Sequence, residues 1–248
     1  MIRIETRGAF VFATLDAPAT RHALSDAMVA GLADAVVRAE AQANIRALVI
    51  RGAGGTFCAG GDFGRFRELM GTAAPAEGID PIARFNRGFG ALLERLQASP
   101  VATIAVVEGA AIGGGVGLAA VCDFVLAASD AKFGMPEVTL GLPPAQIAPF
   151  DAAQALACGL ADEVLDSPTL DVRLNALLTE LGRAEPAALR ATKAILHRRQ
   201  TEPLSKTLDF AASAFAAALR SGTAAEGLAA LSAKRPAAWA LRSDGTKA

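Results

Sequence analysis

Two apolar runs, each followed by a glycine-rich turn, constrain the fold of this chain more than any other feature. The runs are ALVIRG (47–52) and VATIAVV (101–107), and both are typical of buried strands. The turns that follow them are AGGD (59–62) and GGG (113–115). The segment 82–97, which lies between the two runs, carries apolar residues at helical spacing. This alternation of strands and helices predicts an α/β architecture.

The second half of the chain has a different pattern. From Asp151 onward the apolar spacing is predominantly helical, and beyond about Asp166 it indicates no strand comparable with the earlier ones. We therefore expect a core over residues 1–165 and an appended helical region over residues 166–248. Appended helical regions of this kind often serve contacts between subunits.

Composition excludes several classes of function. The net charge is −1 and no basic stripe is present, so neither nucleic acid nor an anionic membrane is expected as a partner. The sequence contains no uninterrupted run of about 18 apolar residues, so no membrane span is predicted. The three cysteines, Cys58, Cys122 and Cys158, lack metal-ligand spacing, and an odd count argues against a disulfide framework. We expect no bound metal and a reducing, cytoplasmic setting.

The two glycine turns are candidates for chemistry because glycine lets backbone N–H groups approach a ligand closely. Two such groups that converge on one oxygen would stabilise an oxyanion. The alternative is that the glycines only permit sharp turns and close helix packing, and composition alone favours that alternative. Neither turn has the spacing of a phosphate loop or a dinucleotide site. His22 and His197 do not sit in a nucleophile–base arrangement in the sequence.

Four titratable side chains lie near the glycines in the sequence: Asp62, Glu108, Asp123 and Glu137. Asp62 precedes the helical segment FGRFRELM, so capping of that helix is the simpler interpretation. Glu137 lies in FGMPEVTLG, an apolar context where a carboxylate is useful when it is paired or catalytic. On pattern alone, a surface glutamate is the favoured interpretation.

Several segments together resemble the enoyl-CoA hydratase/isomerase family, also called the crotonase superfamily. They are GTFCAGGDF, VEGAAIGGGVGLAAVCDFVLAASDAKFGMPEVTLGLPP, AAQALACGLADEV and the C-terminal AAEGLAALSAKRPAAW. The resemblance implies a crotonase-like spiral of β-β-α units with a helical C-terminal trimerisation region. It also implies a homotrimer or a dimer of trimers.

The resemblance implies an acyl-CoA thioester substrate, with coenzyme A as part of the substrate and no separate cofactor. The backbone N–H groups of Gly61 and Gly114 would bind the thioester oxygen and stabilise an enolate. Lys234 would meet the nucleotide end of CoA, within its own subunit or across a subunit boundary, and the alternative is a solvated surface lysine. The implied substrate-binding positions are Arg21, Ala23, Leu24, Ala59, Asp62, Gly117 and Lys234.

One departure from the family pattern concerns the catalytic carboxylates. Hydratases of the family use two glutamates to hold one water; the second matches Glu137, whereas the first belongs where this chain has Gly117. A single carboxylate still suits a proton shuttle, as in double-bond isomerases, or a specialised hydratase. The segment VTLGLPPAQIAPF resembles the branch that hydrates 3-methylglutaconyl- and isohexenylglutaconyl-CoA. A third hypothesis is a catalytically silent CoA-binding subunit, which the presence of Glu137 and both glycines disfavours.

A second departure is a shortening between Phe150 and Asp151. About twenty residues of the family pattern, a helix and its flanks at about 1.5 Å per residue, have no counterpart there. A natural deletion would remove a wall of the acyl pocket and expose core at about 25 cal/mol per Å². If the segment is instead only left out of the sequence, with the numbering closed up, no such cost arises. We favour this second explanation and expect a break in the chain near Phe150.

Overall fold

The core of the molecule is built on a six-stranded sheet whose central strands are the predicted apolar runs. The structure is a computed structural model and describes residues 1–73, 77–136 and 150–241, together with residues 244 and 246. The strands are β1 (Ile2–Arg7), β2 (Phe10–Leu15), β3 (Ala47–Gly52), β4 (Ala102–Val107), β5 (Ala110–Ile112), β6 (Phe124–Ala128), β7 (Lys132–Gly134), β8 (Phe150–Asp151) and β9 (Glu163–Leu165).

The main sheet has the order β1-β2-β3-β4-β6-β9, and every pairing after the β1–β2 hairpin is parallel. In register, Val49 lies between Phe12 of β2 and Ile104 of β4. Every residue of β4 is buried, as its continuous apolar run predicts. Because parallel strands end at the same edge of a sheet, the turns after β3 and β4 emerge side by side.

The helices begin where the sequence supplies caps. Ser25 accepts a 3.2 Å hydrogen bond from the N–H of Met28, and Pro186 occupies the first turn of its helix, as predicted. The helices are α1 (Asp26–Glu40), α2 (Phe63–Met70), α3 (Pro81–Ala98), α4 (Gly114–Ala120), α5 (Ala152–Ala157), α6 (Ser167–Arg183), α7 (Pro186–Thr201), α8 (Leu204–Arg220) and α9 (Thr223–Ser232).

The C-terminal helices differ in how they bury their apolar residues. Helix α6 packs on β6 and inserts buried leucines, among them Leu170, Leu174 and Leu178, into the main core. Helix α8 instead leaves Leu208 and Phe215 more than half exposed. Of the described helices, none is both long enough and apolar enough to cross a bilayer.

A small second sheet, β5-β7-β8, carries the junction at which the chain is shorter than the family pattern. Phe150 and Asp151 are consecutive residues of β8 and pair with Phe133 and Lys132 of β7. Asp151 then caps α5, accepting a 2.9 Å hydrogen bond from the N–H of Gln154. Phe150 and Asp151 are adjacent in β8, and the expectation of an omitted segment stays a prediction.

Candidate active site

The two glycine turns lie directly against each other. The N–H of Cys58 donates to the carbonyl oxygen of Ala110 at 2.9 Å, and the N–H of Ile112 donates to the carbonyl oxygen of Cys58 at 2.9 Å. A Cβ atom on Gly60 would lie 2.6 Å from the oxygen of Ile112 and 3.5 Å from the nitrogen of Gly114. The turn after β3 and the turn after β4 therefore form one continuous backbone surface.

The N–H groups of Gly61 and Gly114 belong to peptide units whose carbonyl oxygens, those of Gly60 and Gly113, accept hydrogen bonds. The oxygen of Gly60 accepts from the N–H of Leu24 at 2.7 Å, and the oxygen of Gly113 accepts from the N–H of Val116 at 2.9 Å. In a trans peptide the C=O and the following N–H point in opposite directions. Fixing these carbonyls therefore also fixes where the N–H groups of Gly61 and Gly114 point.

Those two N–H groups are not used within the described part of the chain. Neither the N–H of Gly61 nor that of Gly114 donates to another described residue. Gly114 is the first residue of α4, where N–H groups have no partner in the helix. Both glycines are half-buried, so a ligand can reach them. The arrangement leaves two oriented backbone donors, on adjoining turns, without an acceptor among the described residues.

The neighbouring glycines make this geometry possible. Gly60 has φ +87° and Gly113 has φ +53°, a region that side chains disfavour. At Gly115 the reason is packing instead, because a Cβ atom there would lie 2.6 Å from the oxygen of Cys58. Gly60, Gly113 and Gly115 therefore serve sharp turns and close packing, as that interpretation held. In the same turns, the N–H groups of Gly61 and Gly114 have no acceptor among the described residues.

Phenyl rings lie against both candidate donors. A Cβ atom on Gly61 would collide with the ring of Phe66, and one on Gly114 would lie 3.3 Å from Cε1 of Phe89. Phe66 packs edge-on against Phe85, with ring centroids 5.9 Å apart. Phe85 and Phe89 are one helical turn apart on α3, so α3 supplies an apolar wall beside the turns. Sequence reasoning did not identify these rings, although their i, i+4 spacing is visible.

The segment expected to line the CoA arm lies alongside the first turn. The N–H of Ala59 donates to the oxygen of Arg21 at 2.9 Å, and Leu24 forms a bridge with Gly61. Arg21 is exposed, Ala23 and Ala59 are half-buried, and Leu24 is buried with Cδ1 2.7 Å from a Cβ position on Gly114. The structure therefore brings all of these positions to the two glycine turns.

His22 and Cys58 hold that segment in place. The Nδ1 atom of His22 accepts from the N–H of Ala17, and its Nε2 atom lies 2.9 Å from the oxygen of Ala53, to which it donates. Both ring nitrogens are therefore occupied by the backbone, which agrees with the expectation that His22 is no catalytic base. The thiol of Cys58 donates to the oxygen of His22 at 3.2 Å, and burial raises its pKa to about 11. Their packing role depends on tertiary contacts that the sequence pattern did not reveal.

Three of the four titratable candidates have structural partners. Asp62 caps α2 by accepting from the N–H groups of Gly64 and Arg65 at 2.9 and 3.2 Å, as the simpler interpretation held. Glu108 forms a 2.9 Å ion pair with Arg51. Asp123 pairs with Lys193 at 2.7 Å. A direct role of Asp62 in binding substrate stays a prediction.

The remaining predicted residues are placed differently. Gly117 lies one turn beyond Gly114 on the same face of α4 and is half-buried. Lys234 is exposed at the end of α9 with φ +50°, and its described hydrogen bond is made by its N–H to Leu231. No described contact joins it to the glycine turns. Glu137 lies outside the described residues.

The sequence and the fold are similar to those of known proteins. The family model for enoyl-CoA hydratase/isomerase matches residues 5–150. The chain belongs to this family. A crystal structure of an enoyl-CoA hydratase/isomerase from Marinobacter aquaeolei superposes with a TM-score of 0.91 at 37% identity, covering 96% of this chain and 98% of the other. Pseudomonas aeruginosa AtuE gives a TM-score of 0.89 at 38% identity, covering 96% and 99%.

Sequence relatives agree with the structural neighbours. A probable enoyl-CoA hydratase, echA8, from Mycobacterium bovis is 30% identical over 243 residues, covering 90% of this chain and 91% of its own. The 2,3-dehydroadipyl-CoA hydratase of Escherichia coli is 33% identical over 217 residues, covering 79% and 81%. The alignment with echA8 has 243 positions but includes only 90% of the 248 residues of this chain, so it contains gaps. At those gaps the relative has residues that this sequence lacks. The crotonase fold is thus present in a shortened chain, and the enzyme acts on acyl-CoA by hydration or isomerisation.

Proposed function

We propose that this enzyme hydrates an enoyl-CoA through an enolate held by the N–H groups of Gly61 and Gly114. The observation that carries the proposal is the pair of oriented, unused donors on adjoining turns, each fixed by a hydrogen bond to its own peptide carbonyl. Negative charge that develops on the thioester oxygen would meet both donors without reorganisation of the backbone. Loss of one such donor typically lowers the rate by about 10²- to 10³-fold.

Glu137 is assigned as the single acid–base residue, through the family resemblance. As base it would take a proton from water as the oxygen adds at C3, and as acid it would deliver a proton to C2. The enolate collapses when C2 is protonated, so the oxyanion donors and the carboxylate act on the two ends of one conjugated system. One positioned acid–base group typically contributes about 10²- to 10⁴-fold.

Isomerisation is the second candidate, and Gly117 favours it. This position carries no carboxylate, and the side-chain atoms facing it are hydrocarbon, Leu93 Cδ1 at 3.6 Å and Phe89 Cε1 at 4.0 Å from a Cβ position. No second proton carrier is present on this face of α4. A lone glutamate that moves a proton between C2 and C4 would suffice for an isomerase.

A branched glutaconyl-type CoA is the proposed substrate class for hydration. The support for the branch is the resemblance of VTLGLPPAQIAPF to that group of hydratases. A relative named 2,3-dehydroadipyl-CoA hydratase supports a second carboxylate on the acyl chain. Arg21, Ala23, Leu24 and Ala59 would line the path of the CoA arm, because they adjoin the turns that hold the thioester. Lys234 would bind the nucleotide end of CoA from its exposed turn.

A homotrimer or dimer of trimers is proposed from the exposed apolar residues of α8 and α9. Side chains there are more than half exposed although they are large and apolar, which marks an interaction surface. They are Leu204, Leu208, Phe215, Leu219, Leu228 and Leu231. A cytoplasmic setting is proposed because the three cysteines are free.

A substrate panel tests the proposal. Absorbance of the conjugated thioester is followed with straight 2-enoyl, straight 3-enoyl and branched glutaconyl-type CoA. A hydratase removes the absorbance of a 2-enoyl-CoA, whereas an isomerase creates it from a 3-enoyl-CoA. The variant Glu137→Gln should lower turnover by at least about 10²-fold. Turnover unchanged by that substitution would eliminate both candidates. Absence of turnover by the wild type on every thioester of the panel would instead favour the silent CoA-binding subunit.

A further inference from the structure

Gly117 opens a small apolar recess beside the candidate oxyanion turn. Within 4 Å of a Cβ position on Gly117, the described residues outside α4 itself contribute only carbon atoms, Cδ1 of Leu93 and Cε1 of Phe89. The separations of 3.6 and 4.0 Å are ordinary van der Waals contacts, so a side chain would fit there. Gly117 is unlike Gly60, Gly61, Gly114 and Gly115 in this respect, since none of those has room for a Cβ atom.

The position of the recess relative to the oxyanion donors indicates which part of a substrate faces it. Gly114 and Gly117 lie on one face of α4, separated by about 4.5 Å along the helix axis. In a thioester whose oxygen accepts from the N–H of Gly114, the C3 atom lies two bonds beyond the carbonyl carbon. A group at C3 can therefore reach the position of Gly117. Phe89 spans the two positions, 3.3 Å from a Cβ atom on Gly114 and 4.0 Å from one on Gly117.

The chemistry of the walls restricts what the recess accepts. Among the described residues the walls are a leucine methyl and a phenyl edge, so a carboxylate or hydroxyl placed between them would lose its hydration without a hydrogen bond from these residues in return. The arginines of α3 that lie two positions from Phe89 and from Leu93 are already partnered: Arg87 pairs with Glu94 at 2.9 Å and Arg95 with Glu40 at 2.7 Å. A hydrocarbon group loses nothing on entering and gains burial against two apolar side chains.

We infer that Gly117, Phe89 and Leu93 form a specificity recess that receives an alkyl branch at C3 of the acyl chain. The inference rests on the proposed function, because it needs the thioester oxygen at Gly114. It deepens that proposal by separating the two ends of a branched substrate. The hydrocarbon branch enters the recess at Gly117, and any second carboxylate lies elsewhere.

Binding of saturated thioesters tests the recess without requiring turnover. Butyryl-CoA and 3-methylbutyryl-CoA differ by one C3 methyl group, and their dissociation constants are measured by calorimetry. The wild-type enzyme should bind the branched thioester about fourfold more tightly, the effect of one buried methyl group. Gly117→Val fills the recess and should bring the ratio of the two constants to about one. Leu93→Ala widens it and should move the preference toward a C3 ethyl branch.

Gly88→Ala is the matched control, because Gly88 lies on the exposed face of α3 and a Cβ atom there meets nothing within 4 Å. Its ratio should equal that of the wild type. Equal affinity for both thioesters in the wild type, or a preference that survives in a folded Gly117→Val variant, would overturn the inference. A preference for the branched thioester without turnover of any enoyl-CoA contradicts the proposed function alone, and failure to bind either thioester contradicts both.

Discussion

The N–H of Leu24 donates a 2.7 Å hydrogen bond to the carbonyl oxygen of Gly60, and this bond orients the peptide unit whose N–H belongs to Gly61. The two residues are far apart in sequence, and their contact joins the segment beside the proposed CoA arm to the proposed oxyanion turn. Binding of CoA along that segment would therefore affect, through this hydrogen bond, the direction of the Gly61 N–H group.

Alanine at either oxyanion glycine should inactivate the enzyme. The methyl group of Gly114→Ala would meet Cδ1 of Leu24 at 2.7 Å, and that of Gly61→Ala would collide with the ring of Phe66. Either the side chain or the turn must shift, and both changes disturb the surroundings of the N–H group. We expect kcat to fall by about 10²- to 10³-fold in each variant. Steady-state kinetics on the substrate identified by the panel measures this, with Gly88→Ala as the control of unchanged activity. A decrease of less than about threefold would show that these N–H groups do not hold the thioester oxygen.

Gly117→Ala should stabilise the fold while narrowing the site. Gly117 is inside α4 with helical neighbours, and its Cβ position has only ordinary contacts at 3.6 and 4.0 Å. Replacing glycine by alanine in a helix interior is worth up to about 1 kcal/mol. Denaturant unfolding should show a free energy of unfolding equal to or higher than that of the wild type. A clear loss of stability would mean that the recess is closed in the folded enzyme.

Lys193→Met should destabilise the fold strongly. The Lys193 Nζ atom donates to the oxygen of Val101 at 2.8 Å and pairs with Oδ2 of Asp123 at 2.7 Å, and the lysine is only 8% exposed. The same carboxylate oxygen accepts from the N–H and hydroxyl of Thr103 at 2.7 and 3.0 Å. Removing one partner of such a pair typically costs about 3–5 kcal/mol, less here because Asp123 is one-third exposed.

Urea unfolding measures that loss, and the exposed Lys206→Met provides the control. Surface substitutions away from such features are usually within about 0.5 kcal/mol of the wild type. If Lys193→Met and Lys206→Met unfold at the same urea concentration, the Lys193–Asp123 pair contributes no stability.

Stability should fall at alkaline pH, partly through Cys58. Burial raises the pKa of its thiol from 9.0 to about 11, although a hydrogen bond from the N–H of Gly60 opposes the shift. Below pH 9 both states hold the proton and the contribution to stability is complete. Between pH 9 and about 11 the unfolded thiol ionises first, so the free energy of unfolding falls by on the order of 3 kcal/mol.

Cys58→Ala removes this titration and should lessen the alkaline loss by a similar amount. Cys158→Ala is the control, since Cys158 is exposed. Cys122 continues to contribute in both variants, because burial and the nearby Asp123 raise its pKa to about 12. Denaturant unfolding from pH 8 to 11 gives the comparison, and equal slopes for Cys58→Ala and the control would refute this assignment.

Much of the local structure could be predicted because its causes are local. The apolar run 47–52 corresponds to β3 residue for residue, and the caps at Ser25 and Asp62 act within three residues. The pairing of the two glycine turns follows from parallel strands that end at one edge. The family could be predicted from motif resemblance, and so could the proposed oxyanion positions Gly61 and Gly114, whereas the hydrogen bonds that orient their peptide units needed the structure.

The rest depended on contacts between distant segments. Nothing in FGRFRELM or in the α3 sequence states that Phe66 faces Gly61 or that Phe89 spans Gly114 and Gly117. His22 likewise acts through Ala53, 31 positions away, which no spacing rule anticipates. Gly117 itself was predicted to mark a missing carboxylate, and only the three-dimensional structure shows that its described neighbours, Leu93 and Phe89, are apolar.

Exchange of the C2 protons of a saturated acyl-CoA in D₂O measures enolate formation directly and is common to hydration and isomerisation. Butyryl-CoA is incubated with the enzyme, and deuterium incorporation is followed by mass spectrometry. We predict catalysed exchange by the wild type, a loss of about 10²- to 10³-fold in Gly114→Ala, and a comparable loss in Glu137→Gln. Exchange at the wild-type rate in both variants would contradict this prediction.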